Sequence, residues 1–316
     1  MKLPAVPYGP PDVIVVGEAL IDIVLSQNGA AEHPGGSPAN VAYGLARLGV
    51  STGFLTAIGQ DDRGSTIRAH LTGAGVELLP GSQSMASTST ATATLGDDGS
   101  ASYSFDLAWQ LAPAAPTCLP RLLHTGSIAS FLAPGAAGVK YILDQCAGTS
   151  IVTYDPNIRP ELLGSHHEAR TIFEDLVPLT DVVKLSDEDA VWLYPQRTPE
   201  ETSRHILSLG TDLVAVTRGA GGSLLRTADT EISVPGVASV VADTIGAGDS
   251  YMAAFILGLL TRGTDGWAPH VLEQIGQMAS MAAAITVRRP GANPPSYSEL
   301  RDGLGVPTPS ERGQKI

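Results

Sequence analysis

At 316 residues the chain suits one large α/β domain or two smaller ones, and 43% apolar against 16% charged residues marks a globular protein rather than a disordered one. A formal charge of −13 excludes a surface built for nucleic acid or an anionic membrane, because both need clustered Lys and Arg. Cys118 and Cys146 are too few and too separated for a disulfide framework or a thiolate metal site, so ordinary thiols in a reducing cytosol are expected. No apolar secretory core precedes Asp12, and the longest apolar stretch, Tyr251–Leu260, is too short to span a bilayer. A cytoplasmic location is the expectation.

Val13–Gly17 is a short apolar run suited to a strand buried on both faces of a sheet. Leu20–Leu25 reads as a second strand with Asp22 inside it, followed by a polar loop over Gln27–His33. Gly35–Gly49, GGSPANVAYGLARLG, spells a helix. Ser37 is a good N-cap, Pro38 suits the first helical position, and Val41, Ala42, Leu45 and Leu48 recur at helical spacing before Gly49 closes it. Phe54–Ile58 is a strand feeding the loop GQDDRG and a helix over Ser65–Gly73, and Gly75–Leu79 resumes strand. Ser87–Phe105, Thr-rich around the Gly96–Ser100 turn, has a hairpin pattern.

After Pro113 the rhythm is more regular. Strands are expected at His124–Ile128, Ile151–Tyr154, Val182–Leu185 and Leu213–Thr217, with helices at Ala136–Gln145, His167–Leu176, Asp187–Leu193 and Pro199–Leu209. A late hairpin over Ser223–Arg226 and Ile232–Val234 precedes helices at Asp249–Thr261 and Val271–Val287. Strands joined by helix-length crossovers call for a parallel sheet covered on both faces, with ligands at the strand C-terminal ends. The reading is one domain over residues 1–306, without repeats or linkers, and a frayed tail over Pro307–Ile316.

The chemistry concentrates in Asp243–Ile256, DTIGAGDSYMAAFI. Gly246, Ala247 and Gly248 bring small residues to the start of a helix, where bare N–H groups and the macrodipole suit an anion. Asp249 follows in the first turn. A carboxylate there would repel a resting phosphate, but it makes sense as the group that takes a proton from an alcohol attacking phosphorus. A glycine turn before a helix is also a common tight turn, so this stretch alone leaves both readings open.

GGSPANVAYGLARLG and DTIGAGDSYMAAFI together resemble the paired motifs of the ribokinase (PfkB) family of carbohydrate kinases, in the family's order. The resemblance runs from Val13–Asp22 to Gly291–Pro295. It implies a ribokinase-like α/β fold: a central, mostly parallel sheet flanked by helices, with a small β-rich lid over the sugar from about 18–34 and 91–109. It implies Asp249 as catalytic base and the amides of Gly246, Ala247 and Gly248 as anion hole. Asp22, Gly35, Gly36 and Asn40 match sugar-binding positions, and DPNIR, similar to the DPNxR of fructokinase-like members, adds Asp155, Asn157 and Arg159. ATP would be met by Lys184, Ser186, Thr217, Gly219, Gly222, Gly246, Gly248 and Asn293. Where the family has Asn-x-x-Glu in a segment tied to metal and phosphate placement, this chain has Ser186 and Asp189, with Glu188 a substitute for the acid.

Asp243, Ile245, Arg289 and Gly291 match a monovalent-cation (K+) site formed by backbone and Asp243, with Pro295 where a Ser often stands. The implied donor is ATP, with Mg2+ held through phosphates and water, and lid strands pair between subunits of a homodimer in relatives. The wording leans to fructose, phosphorylated to fructose 6-phosphate; another sugar, a ketodeoxy sugar acid or a riboside is the alternative. Phe105, Trp109 and Phe131 are candidates either for packing on the sugar or for the core. A nicotinamide-dependent oxidoreductase would need G-x-G-x-x-G after the first strand, where this chain has Gly17-Glu18-Ala19-Leu20-Ile21-Asp22. A sensor without catalysis is opposed by Asp249 beside an intact glycine turn.

Overall fold

The computed structural model describes residues 11–26, 29–95, 101–113, 119–262 and 267–305. Thirteen strands among these form two sheets. The elements are β1 (Val13–Val16), β2 (Leu20–Ser26), β3 (Gly29–Gly35), α1 (Ser37–Arg47), β4 (Thr52–Leu55), α2 (Asp62–Ala74), β5 (Glu77–Leu78), β6 (Thr90–Leu95) and β7 (Ala101–Asp106). There follow β8 (Leu122–Gly126), α3 (Gly135–Cys146), β9 (Ile151–Asp155), α4 (His166–Leu176), β10 (Val182–Ser186), α5 (Asp187–Leu193), α6 (Pro199–Ser208) and β11 (Leu213–Thr217). The chain then forms β12 (Ser223–Arg226), β13 (Glu231–Val234), α7 (Ala247–Arg262), α8 (Pro269–Thr286) and α9 (Tyr297–Gly303).

The large sheet has nine strands in the order β13-β12-β11-β10-β9-β8-β1-β4-β5. Strands β5 to β11 in that order are parallel, and β12 and β13 turn back antiparallel at one edge. Its strands are apolar runs because both faces are covered. One face meets α1, α7, α8 and the end of α9 through Val13, Val15, Leu122, Phe255 and Ile275. The other meets α3 to α6 through Ile14, Val16, Leu123, Phe173 and Leu193. Helix α7 is sandwiched so fully that ten of its residues are buried, which is why its sequence is apolar all round rather than striped. Parallel strands send their C-terminal ends to one edge, and that edge gathers Glu18, Ser127, Asn157, Ser186 and Thr217.

The small sheet runs β3-β2-β6-β7, with β2 and β6 parallel and both outer pairs antiparallel. Residues 29–33, expected as loop, are instead strand β3. It pairs with β2 from Leu20↔Gly35 to Ser26↔Gly29. The backbone of β2 recruits a segment whose own side chains favour no strand, and Pro34 is tolerated because β3 is an edge. Gln27 and Asn28, the Gly96–Ser100 turn, Cys118 and the tail from Pro307 lie outside the described residues. The strand expected at Phe54–Ile58 lies at Thr52–Leu55, and only Glu77–Leu78 of Gly75–Leu79 pairs. Helix α9 was not anticipated, although Ser296 and Glu299 form a capping box at its start.

Candidate active site

Two helix N-termini face each other across the edge of the large sheet. At α1 the N-cap is Gly36, not Ser37, and no side chain caps the helix. Gly36 has φ 99, and a β-carbon there would stand 2.8 Å from the Glu18 carbonyl oxygen, so glycine is required on two counts. The shift of one residue places Ser37 on the helix, one turn from Asn40. Both side chains reach across to α7: Ser37 Oγ donates to Asp249 Oδ1 at 2.6 Å, and Asn40 Nδ2 donates to Asp249 Oδ2 at 2.8 Å.

Asp249 itself is in the first turn of α7, following Gly246 with φ 73. A β-carbon on Gly246 would meet Ala292 at 2.7 Å, so the glycine turn packs against the 291–293 loop. The Ala247 amide donates to the Thr244 carbonyl at 3.2 Å, and the first helical bond runs from Ser250 N to Gly246 O. The amides of Gly248 and Asp249 have no acceptor among the described residues, which leaves them, with the helix dipole, free for an anion. Of the three expected anion-hole amides, Ala247 is therefore the one already engaged.

Beneath this turn lies a buried ion pair. Lys184 Nζ donates to Asp155 Oδ2 at 2.7 Å, and both residues are under 5% exposed. Nζ is 3.3 Å from where a β-carbon of Gly248 would stand, so the ammonium lies against the glycine turn. Burial opposes the Lys184 charge, but Asp155 overrides it and holds the ammonium above its usual range. Burial pushes Asp155 up to about 6 against the pull of Lys184. Asp249 is also raised, by desolvation, while the Ser37 and Asn40 bonds and then Lys184 and Arg159 pull it down.

Strand β2 presents Asp22 opposite His33 of β3, with the backbone of Gly35 against its carboxylate. Desolvation raises Asp22 to about 6, His33 and Arg159 oppose that rise, and Asp249 adds to it. Arg159 is exposed, its guanidinium donates to its own neighbour's carbonyl (Ile158, 2.9 Å), and its charge is felt at both Asp22 and Asp249. Asn157 has φ 38, and its amide points to Ser127 Oγ at 3.4 Å; Ser127 has φ 54. Two non-glycine residues in the left-handed region thus meet at this edge.

Glu18 was not singled out from sequence. It is 5% exposed, with Oε2 accepting from Ala129 N at 3.1 Å, and desolvation pushes it up to about 8. Ser37 was read only as a cap. The signal for it was its spacing of three from Asn40, which puts both on one helix face.

The residues expected to meet ATP lie at the ends of β10 and β11 and in the 291–293 loop. Ser186 is the N-cap of α5, its hydroxyl accepting from Asp189 N at 3.0 Å while Asp189 Oδ2 accepts from Ser186 N at 2.9 Å. Asp189 Oδ1 takes Ile158 N at 2.9 Å, so both its oxygens are engaged by backbone, and Glu188 faces outward. Thr217 ends β11, and the Gly219–Gly221 turn closes with Gly222 N on Gly219 O at 3.1 Å. Arg218 turns away to Glu200 at 2.6 Å. Asn293 is exposed beside the glycine turn.

Asp243 accepts from Ile245 N at 3.0 Å and Gly291 N at 2.8 Å, which hold it below the usual carboxylate range. These bonds bring Asp243, Ile245 and Gly291 together, while the Arg289 guanidinium leaves for Glu299 at 2.5 Å, so only its backbone remains near. Trp109 and Phe131 are core residues, the Trp109 indole donating to Ala129 O at 2.9 Å, whereas Phe105 is exposed on the small sheet.

A model of the pfkB family of carbohydrate kinases matches residues 10–299. The chain belongs to this family. It is 32% identical to a fructokinase of Escherichia coli over 301 residues, covering 89% of this chain and 94% of the relative. Among solved structures it is similar to an uncharacterized sugar kinase of Pyrococcus horikoshii in complex with ATP, at TM-score 0.78 and 27% identity over 93% of this chain and all of that one. It is also similar to a double mutant of the fructokinase of Vibrio cholerae bound to fructose, ADP and potassium, at TM-score 0.79 and 25% identity over 95% and 99% of the two chains. The fold is ribokinase-like and the protein is a sugar kinase, as the motif resemblance implied. No helix among the described residues is long and apolar enough to cross a membrane.

Proposed function

We propose that the protein transfers the γ-phosphoryl group of ATP to the primary hydroxyl of a sugar, fructose above others, to give fructose 6-phosphate. The observation that carries this is Asp249: a desolvated carboxylate with two side-chain donors, next to unpaired helix N-terminal amides. Asp249 takes the hydroxyl proton while the oxygen attacks the γ-phosphorus in line. The amides of Gly248 and Asp249, the α7 dipole and Lys184 from below meet the charge that develops on the phosphoryl oxygens. Arg159 supplies an exposed guanidinium on the acceptor side.

The acceptor is held by Asp22, Gly35, Gly36, Asn40 and Asn157, with Asp155 shaping the floor. The small sheet would act as a lid excluding water, tied to the large body through Glu32 of β3 and Arg63 of α2, whose Nε and Oε2 are 3.1 Å apart. Asp22 and Asp249 lie on this side, and their carboxylates favour an uncharged sugar over a sugar acid. Magnesium, when bound, neutralises phosphate oxygens. Phosphates and water would carry most of its coordination. Backbone carbonyls around Asp243, Ile245, Arg289 and Gly291 would hold a potassium ion. A homodimer would form through the small sheet, where Leu25, Tyr103 and Phe105 are exposed.

The test is coupled ADP release over fructose, other ketoses, aldoses, a ketodeoxy sugar acid and ribosides. Fructose is expected to give the highest kcat/KM. Turnover confined to a riboside or a sugar acid would reassign the substrate, and no turnover with any acceptor would remove the kinase mechanism.

A further inference from the structure

Helix α1 addresses both oxygens of Asp249, and its two donors are not equivalent. Asn40 occupies a position that the proposed function gives to sugar recognition, and its amide can turn from the carboxylate to a sugar hydroxyl. Ser37 has no such second duty. Its hydroxyl is released from helix capping because Gly36 takes the N-cap position, and at 2.6 Å from Oδ1 it makes the shorter of the two bonds. A hydroxyl donating to a carboxylate at this distance is a charge-assisted bond, among the stronger kinds in proteins.

We propose that Ser37 is a positioning residue for the general base: it stays on Asp249 Oδ1 throughout turnover, so that Oδ2 exchanges Asn40 for the acceptor hydroxyl and is the oxygen that takes the proton. This rests on the kinase mechanism above. In the step, the acceptor O–H bond breaks as Oδ2–H forms. The acceptor oxygen bonds to the γ-phosphorus, and the bond from that phosphorus to its bridging oxygen breaks with its electron pair leaving on ADP. Ser37 neither gains nor loses a proton.

The arrangement has a signature in pH. Asp249 is faced by Ser37 and Asn40 from α1, Glu18 from the end of β1, Asp22 from β2, Asp155 from β9, Arg159 from the loop after it, and Lys184 from β10. Desolvation and the three carboxyl groups favour the protonated base; the two hydrogen bonds and two cations favour the ionised one. Removing one donor to the ionised form moves the base upward by about one pH unit, the scale of a charge-assisted hydrogen bond.

Full-length S37A, S37G and S37T are compared with the parent by coupled ADP release, with kcat and the sugar and ATP KM values measured from pH 5 to 9. In S37A and S37G the acid limb of kcat should move up by about one unit, with kcat on that limb down about tenfold and the ATP KM unchanged. S37T, which keeps the hydroxyl, should follow the parent. A profile in S37A and S37G that overlays the parent, or a shift in S37T equal to theirs, overturns the assignment. If the parent itself turns over no sugar, the kinase mechanism fails instead.

Discussion

Lys184 and Asp155 show how a single pair sets the floor of the site. Each is buried beyond the reach of water, and each is tolerable there only because of the other. Removing the cation leaves a buried carboxylate that can escape its cost only by taking up a proton. K184M is therefore expected to be destabilised more at pH 8 than at pH 5. Burial raises Asp155 even with its partner present, and without it the folded-state value rises further, so the stability is retained in acid and lost as pH rises. Melting temperatures of K184M and the parent at the two pH values check this; an equal drop at both would contradict it.

Among the elements, α5 and the loop after β9 are joined by one side chain. Asp189 caps its own helix through Ser186 N and also holds Ile158 N, the residue between Asn157 and Arg159. D189A strands two inward-facing amides and should cost about 2–4 kcal/mol. Because the loop it releases carries Asn157 and Arg159, proposed to meet the acceptor, the sugar KM should rise more than the ATP KM. Urea denaturation and steady-state kinetics measure the two effects, and a loss of stability with both KM values moving together would remove the coupling. The sequence disclosed α5 to the residue, since Ser186, the acidic first turn and the apolar run all agree. It could not show that Asp189 also serves Ile158, a contact across 31 positions. The same limit explains Ser37: a Ser before Pro at a helix start has the chemistry of a cap, and only the φ of Gly36, fixed by the distant Glu18 carbonyl, moves the boundary. Strand β3 was illegible because its pairing comes from β2, not from its own residues.

For the molecule as a whole, the buried acids make stability depend on pH in an unusual direction. Glu18 is raised from 4.5 to about 8, and Asp22 and Asp155 from 3.8 to about 6. Between about pH 4 and pH 8 the unfolded chain gives up protons that the folded chain keeps, so stability falls as pH rises through that window. On the acid side Glu299, held near 2 by Ser296 N and Arg289, contributes stability that is lost between about pH 4.5 and 2. The melting temperature of the ligand-free protein should therefore peak in acid, at about pH 4, and decline toward pH 8.5; a steady rise to pH 8 would contradict it. The architecture was readable because strand and helix alternate with clear periods. The site was readable as two motifs, but their meeting at Asp249 was not, because 209 residues separate Asn40 from the acid it binds.

The most direct test is D249N under steady-state conditions with ATP and fructose. The side chain keeps its shape but loses its charge, its ability to take a proton and one of the two acceptor oxygens met by Ser37 and Asn40. The predicted result is a kcat lower by about 10²-fold or more, with both KM values within a few-fold of the parent. A variant that turns over at close to the parent rate would contradict the assignment of Asp249 as base.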